Sequence, residues 1–430
     1  MKISVITLGC PKNTVDSEYL SGQLFDKDVQ FTEHVETADV VIINTCAFIL
    51  PAREEAIETI LETVALKNNG KVKRIYVTGC LPQRYQDELK AEIPEVDGFF
   101  QQKDFTEIGR EINALLNKNT NAVSYNRKLE TPAHYAYLKI SEGCDNRCSY
   151  CTIPGIKGNF KSRPMGKLVA EANRLVDNGV RELILVAQDT TYYGWDKRDK
   201  QALKNLIGAL AEINNLKWIR ILYAHPAHLG DNVIQLFQEE EKLCRYIDMP
   251  IQHISDNVLR SMGRHVTGKE IQEKIDKLRS ATSGIAIRTT LMVGYPGESK
   301  NDFLQLKNFV SQIQFERLGV FKFIAEENTP AAKMENQVGE DLKEDRREEI
   351  MEIQYKIAQE KSREFQGRTI PVLIDGRNED KETFLGRSEW DSPQIDNLVY
   401  VKGDVQVGGF YQVTINQTDA YDLWAEKVAG

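Results

Sequence analysis

Along the first 117 positions, apolar residues come in short β-branched runs separated by longer stretches of helical pattern. KISVITL, ADVVIIN and RIYVTG are continuous apolar runs bounded by polar or turn residues, as expected of strands buried on both faces. Each is followed by a helical pattern: DSEYLSGQLF, then AREEAIETILETVAL ending near Gly70, then RYQDELKAEI stopped by Pro94. Strand and helix in alternation predict a parallel sheet with crossover helices.

The polar stretch NKNTNAVSYNRKLETPAHY reads as a linker, which sets the expected boundaries at 1–117 for the first domain and 118–132 for the linker. Alternation then resumes with six candidate strands, AYLKIS, ELILVAQ, WIRILYA, YIDMPIQ, IRTTLMV and RLGVFKFI. Over residues 133–366 they predict a partial (β/α)6 barrel, whose chemistry should lie at the strand carboxyl ends. LKEDRREEIMEIQYKIAQEKSREFQ reads as a long charged helix leading out of it. From 367 to 430 the short runs TIPVLIDG, TFLGRS, NLVYVKG and FYQVTINQ, separated by Gly, Asp and Asn turns, predict a small antiparallel β-barrel. The expected fold class is therefore α/β, with a parallel α/β domain, a partial barrel and a small terminal β-barrel.

Composition changes this picture little. With 41% hydrophobic and 28% charged residues, a chain of 430 can bury the cores of two or three domains. No run of eighteen apolar residues occurs and MKISVITLGCPKNTVDSEYL lacks the features of a secretion signal, so a cytoplasmic protein with no membrane attachment is expected. A net charge of −9 gives no general reason for affinity to nucleic acid or anionic lipid.

The seven cysteines change it more. An odd number without an export signal argues for metal or catalytic use over a disulfide framework. TLGC, NTC and TGC put Cys10, Cys46 and Cys80 each where a strand gives way to its helix, and such ends share one edge of a parallel sheet. Cys144, Cys148 and Cys151 form a CxxxCxxC loop after AYLKIS. Soft thiolates suit zinc, copper(I) or iron–sulfur clusters. A structural zinc site needs a fourth ligand, but His134 precedes the strand and the other histidines, His225 included, lack zinc-ligand spacing. An iron–sulfur cubane on three thiolates leaves one iron open to an exogenous ligand. Cys244, without a partner, reads as a packing residue.

GCDNRCSYC, following a strand at the start of a six-unit barrel, resembles the cluster loop of radical S-adenosylmethionine (SAM) enzymes. The two cysteine triads together resemble the methylthiotransferases, which add a second cluster on an N-terminal domain and a C-terminal TRAM domain. TLGCPKNTVDSE, VTGCLPQRY, KISEGCDNRCSYCTIPGIKGNFKSR, VAQDTTYYG, DMPIQHISDNVLRSMGR, TTLMVGYPGES and GRSEWDSPQIDNLVY match in order over essentially the whole chain. The branch that modifies tRNA would more typically read GCQMN and GQNVNSY where this chain has GCPKN and AQDTTYYG, so the resemblance favours the branch that methylthiolates an aspartate of ribosomal protein uS12.

That resemblance implies two 4Fe-4S clusters and SAM as cofactors. Cys144, Cys148 and Cys151 would hold the cluster that cleaves SAM to a 5′-deoxyadenosyl radical, and Cys10, Cys46 and Cys80 the cluster where a sulfur is methylated by another SAM before capture by the aspartate β-carbon. Tyr150 is expected beside adenine, and Val293 and Gly294 of RTTLMVGYPGES along SAM. Gln188, Asp189 and Gln252 at strand ends, and Arg288 within an apolar strand, are candidate contacts to SAM or substrate. Implied partners are uS12, free or on the small ribosomal subunit, and an electron donor such as flavodoxin or ferredoxin, with possible RNA contact through the TRAM domain. From 367 to 430, six Lys and Arg face eleven Asp and Glu, and this acidic balance fits a basic protein better than RNA. The competing readings are methylthiolation of an adenosine in tRNA and a non-catalytic metal-cluster protein that binds RNA.

Overall fold

The computed structural model describes residues 1–24, 29–101, 105–115, 127–380 and 382–428. They form two compact units, one of residues 1–131 with 143–145 and 151–159, the other of residues 132–142, 146–150 and 160–430. Among the described residues no helix is long and apolar enough to cross a membrane.

In the first unit, β1 (Lys2–Thr7), α1 (Pro11–Leu24), β2 (Gln30–Phe31), β3 (Val40–Thr45), α2 (Leu50–Asn68), β4 (Arg74–Gly79), α3 (Cys80–Glu92), β5 (Gly98–Phe99) and α4 (Phe105–Leu115) follow in order. The five strands lie in the order β2-β1-β3-β4-β5, all parallel. Every residue of β3 is buried. Val41 and Ile43 pack with Ala56, Ile60 and Val64 of α2 on one face. Val40 and Ile42 pack with Leu20 and Leu24 of α1 and Ile108 of α4 on the other. Because successive side chains point to opposite faces and both faces are covered, the run is continuously apolar.

Residues 118–126 of the expected linker lie outside the described residues. Residues 127–130 are tied to α1 through Glu18, a fully buried carboxylate that requires donors. Arg127 Nε donates to its Oε2 at 3.1 Å and the Glu130 N–H to its Oε1 at 2.9 Å. The short helix α5 (Ile153–Lys157) also belongs to this unit, with Ile156 buried in the core beside α3.

The second unit opens with β6 (Tyr135–Lys139), then the short strands β7 (Ser141–Glu142) and β8 (Lys161–Ser162), which pair antiparallel. It continues through α6 (Met165–Asp177), β9 (Glu182–Val186), α7 (Ala202–Ala211), β10 (Trp218–Ile221), α8 (Asp231–Glu239), β11 (Leu243–Asp248), α9 (Asp256–Ser261), α10 (Gly268–Ala281), β12 (Ala286–Val293), α11 (Lys300–Ile313), β13 (Arg317–Lys322) and α12 (Glu340–Arg363). The six long strands form one parallel sheet in sequential order, β6-β9-β10-β11-β12-β13, the open partial barrel that the six apolar runs predict. Capping boxes start α10, with Thr267 and Glu270, and α11, with Ser299 and Asp302.

The terminal barrel is built from β14 (Thr369–Arg377), β15 (Phe384–Arg387), β16 (Val399–Lys402), β17 (Phe410–Thr418) and β18 (Leu423–Lys427), closed in the order β14-β15-β16-β18-β17. Four pairings are antiparallel and β16–β18 is parallel. The parallel pair is a topological necessity, since strand direction cannot alternate all the way round a ring of five. The fifth strand, LWAEK, is not among the four read from sequence.

Buried ion pairs join the strands of the parallel sheet to β15 and the segment after it. Glu182 at the start of β9 accepts from Arg220 and Arg387, each at 2.8 Å. Arg317 at the start of β13 pairs with Asp391, and Arg288 with both Asp248 and Asp396. In barrels of this type the amino ends of strands serve stability and the carboxyl ends chemistry.

Candidate functional site

In the first unit, β1, β3 and β4 are neighbours, and each delivers one cysteine at its carboxyl end. Cys10 directly precedes α1, Cys46 directly follows β3, and Cys80 is the first residue of α3. The register pairs Thr7 with Asn44 and Thr45 with Gly79, so the three ends are level. Side-chain amides tie them together: Asn13 Nδ2 donates to the carbonyls of Leu8 and Thr45, and Asn44 Nδ2 to the Asn13 carbonyl and Ser17 Oγ. Thr45 Oγ1 donates to the Thr78 carbonyl at 2.6 Å.

Two glycines make this closeness possible. Gly79 has φ +98°, and a Cβ there would lie 2.4 Å from the Thr45 carbonyl oxygen. Gly9 has φ +94°, and its Cβ would lie 2.7 Å from Cys46 Cβ. Positive φ without a side chain is what glycine uniquely offers, which explains the Gly-Cys pairing in TLGC and TGC.

The thiols suit a strongly positive centre. Burial pushes Cys80 up to about 11 and also raises Cys46, against the charge of Lys157 on α5. Such groups become thiolates when a metal displaces the proton. Among the described residues, one group of three His, Cys, Asp or Glu has its ligand atoms within 4.8 Å of one another, and it is not this triad. A single zinc ion holds sulfur at about 2.3 Å and so needs closer sulfurs, whereas a multi-iron cluster spans more. Three thiols at level strand ends are the soft ligand set that an iron–sulfur cluster takes.

In the CxxxCxxC loop, Cys144 and Cys148 are buried and Cys151 is partly so, and no disulfide joins any of the cysteines. Cys144 and Cys151 fall within the first unit and Cys148 within the second. The Cys144 N–H donates to the Gly158 carbonyl at 3.1 Å, and Thr152 Oγ1 to the Phe48 carbonyl at 3.2 Å. Following Cys148, the Ser149 N–H donates to the Met262 carbonyl at 2.9 Å, while Ser149 Oγ lies 2.8 Å from the Tyr295 hydroxyl. Tyr150 packs against Val258, Met262, Tyr295, Phe323 and Ala331.

The second unit brings most of the other expected residues to the carboxyl ends of its strands. Gln188 and Asp189 follow β9, Gln252 follows β11, and Val293 ends β12 just before Gly294. Gln188 Nε2 donates to Glu142 at 2.9 Å while its Oε1 is buried without a partner. Gln252 has φ +69° and bridges to Leu291. The Gly294 N–H is taken by Glu298, which also pairs with Arg346. Arg288 is the exception to the grouping: it sits in the amino-terminal half of β12, and its guanidinium is engaged by Asp248 at 2.8 Å and Asp396 at 3.3 Å. Cys244 is a buried residue of β11.

Asp189 is the centre of a cage that the sequence reading did not assemble. Its Oδ2 accepts from Asn146 at 2.8 Å and faces His228 Nδ1 at 2.7 Å, while its Oδ1 accepts from Thr191 Oγ1 and the Tyr192 N–H. Burial raises its carboxyl, but the hydrogen bond with His228 leads the effects that overcome burial and leave it at about 2. His225 completes the group whose ligand atoms lie within 4.8 Å. With four hydrogen bonds its carboxylate positions are all in use, so Asp189 orients Asn146 and His228 and offers no vacancy to a cation. YAHPAH carried a signal in the two histidines three positions apart, but their acidic partner lies on another strand end. A second group that sequence reasoning missed is Arg264, buried beside Cys148.

Comparison with known proteins agrees with this geometry. Residues 2–101 match the uncharacterized protein family UPF0004, 138–310 the radical SAM superfamily, and 367–428 the TRAM domain. Among solved structures, the radical SAM methyltransferase TsrM from Kitasatospora setae superposes with a TM-score of 0.54 at 13% identity, covering 74% of this chain and 72% of that one. This likeness concerns the fold. The radical SAM match implies a 4Fe-4S cluster and SAM. The relatives named ribosomal protein uS12 methylthiotransferase RimO include those of Trichlorobacter lovleyi, 45% identical over 99% of this chain and 98% of the relative, and Lachnoclostridium phytofermentans, 43% identical over 98% and 99%. The protein of Clostridioides difficile, with the same name, is 41% identical over 99% of this chain and 98% of its own length. With that identity sustained from end to end, the chain belongs to the RimO family of radical SAM methylthiotransferases.

Proposed function

We propose that this enzyme attaches a methylthio group to the β-carbon of an aspartate in ribosomal protein uS12, using two 4Fe-4S clusters. The observation that carries the reading is the delivery of Cys10, Cys46 and Cys80 by three adjacent strand ends in a chain that also has the CxxxCxxC loop. When bound, one cluster would pass on the electron that cleaves SAM and the other would hold the sulfur that is transferred.

The chain's own residues do the rest. Cys144, Cys148 and Cys151 would hold the SAM-cleaving cluster and leave one iron open to SAM. Cys10, Cys46 and Cys80 would hold the other. Tyr150, fixed by its apolar neighbours, would flank the SAM adenine. Gln188, Gln252, Val293 and Gly294 at the strand carboxyl ends would line the same cofactor, with Asp189 acting through Asn146 and His228. Arg288 is given no part in SAM binding, because its guanidinium is committed to two carboxylates.

The substrate is uS12, free or on the small subunit, and the electron comes from a low-potential carrier such as flavodoxin or ferredoxin. The acidic TRAM barrel favours a basic protein partner over direct RNA binding. The test is product identity. Anaerobically reconstituted enzyme with SAM and a reductant should add the mass of one methylthio group to a uS12 peptide containing the aspartate. A methylthio nucleoside in digested tRNA, with the peptide unchanged, would overturn the reading.

A further inference from the structure

Arg264 is 5% exposed and lies within 4.0 Å of no carboxylate among the described residues. Its Nη2 donates to the Pro250 carbonyl at 2.5 Å, its Nη1 points at Cys148 Sγ at 3.8 Å, and its Nε is buried without a partner. A guanidinium stays charged at any working pH, and burying it without a counter-charge is costly. The other buried arginines of this unit avoid that cost: Arg220 and Arg387 share Glu182, and Arg346 holds Glu298. Arg264 has the sulfur of Cys148 instead.

The placement is built into the backbone. The Ser149 N–H and Oγ bond the carbonyls of Met262 and Ser261, so the residue after Cys148 is fixed to the turn that carries Arg264. The Arg264 N–H in turn closes that turn on the Leu259 carbonyl at 3.0 Å. Asp189 is the nearby carboxylate on the adjoining strand end, and its four hydrogen bonds commit it elsewhere.

We propose that Arg264 is a positioning residue for the SAM-cleaving cluster: its buried positive charge and N–H···S hydrogen bond to the Cys148 thiolate stabilise the more negative, one-electron-reduced state. This rests on the assignment of Cys148 as a cluster ligand. A cubane core of charge 2+ on three thiolates carries net charge −1, and −2 after reduction, so a fixed cation beside one sulfur favours the reduced form. Hydrogen bonds to cluster sulfurs and nearby charge are among the factors that set such potentials.

The experiment is a potentiometric titration followed by electron paramagnetic resonance. It uses full-length protein in which Cys10, Cys46 and Cys80 are replaced by alanine, so that iron and sulfide counts refer to one cluster. Arg264→Gln should load a full cluster yet lower the midpoint potential. A tenfold smaller ratio of reduced to oxidised cluster, about 59 mV for one electron, is the expected size. Arg264→Lys, which keeps the charge but not the planar fork, should fall between the two, and it decides the matter if the glutamine variant does not fold. Equal potentials for the parent protein and a fully loaded variant would overturn the proposal, as would Lys and Gln variants losing iron to the same extent, since that marks a merely structural role. If the parent protein itself takes up no iron, the assignment of Cys148 is what fails.

Discussion

Gly9 and Cys46 approach so closely that a methyl group on Gly9 would sit 2.7 Å from the Cβ of Cys46. The glycine is part of the site because it lets the end of β1 reach the end of β3. Gly9→Ala combines that clash with a positive φ, which alone costs about 1–2 kcal/mol for an alanine. The expected result is a lowered melting temperature and, after reconstitution, loss of the iron belonging to one cluster while the other stays loaded. Iron and sulfide counting on the variant checks this. A full complement of iron would show that the two strand ends can separate without harm.

The two triads should divide the labour. Cys148→Ala should abolish formation of 5′-deoxyadenosine from SAM, and with it all methylthiolation. Cys10→Ala should still cleave SAM but yield no methylthiolated uS12 peptide. Chromatography of the nucleoside product alongside mass spectrometry of the peptide separates these cases.

Asp189 gives a pH dependence with a definite sign. Its folded-state value of about 2 lies below the ordinary 3.8, so its contribution to stability is complete above about pH 4 and disappears as pH falls through 2. A depression of this size corresponds to roughly 2 kcal/mol. Asp189→Asn should therefore melt below wild type by an amount that is constant from neutral pH down to about 4 and shrinks in more acidic solution. Thermal melts of both proteins across that range are the check, and a gap that widens with acid would contradict the assignment.

Glu182 neutralises two arginines at once, with both guanidiniums and the carboxylate almost wholly buried. Removing it by Glu182→Ala leaves Arg220 buried without a carboxylate, while Arg387 keeps Asp375, for an expected loss of about 3–5 kcal/mol. Calorimetry should show the effect, and replacing Glu182 and Arg387 together should cost less than the sum of the single changes.

Charge on the terminal barrel predicts a salt effect. If the barrel's net negative charge attracts uS12, raising ionic strength from low to physiological should weaken binding, because charges more than about 8 Å apart are then screened. Titration calorimetry or fluorescence anisotropy at several salt concentrations measures it, and salt-independent binding would assign recognition to other surfaces.

Much of this was legible in the sequence because it depends on local pattern. TLGC, NTC and TGC each end a strand, and once the strands are parallel and adjacent their cysteines must converge. What stayed hidden depends on partners distant along the chain. Arg288 looked like an active-site group because an arginine in an apolar strand has to meet an anion, but the anions are Asp248 on a neighbouring strand and Asp396 beyond β15. Its position early in the strand was the available clue. Arg264 carries no signal in the sequence because its counter-charge is a sulfur, and LWAEK carries a weak one because two of its five residues are charged.

The closed ring of β14 to β18 has a consequence for recognition. Every strand has two neighbours, so no exposed edge remains on which a ligand could lay down an additional strand. Whatever docks on that module must be read by outward-facing side chains and connecting loops. Its selectivity can therefore be altered by surface substitutions that leave the backbone ladder untouched.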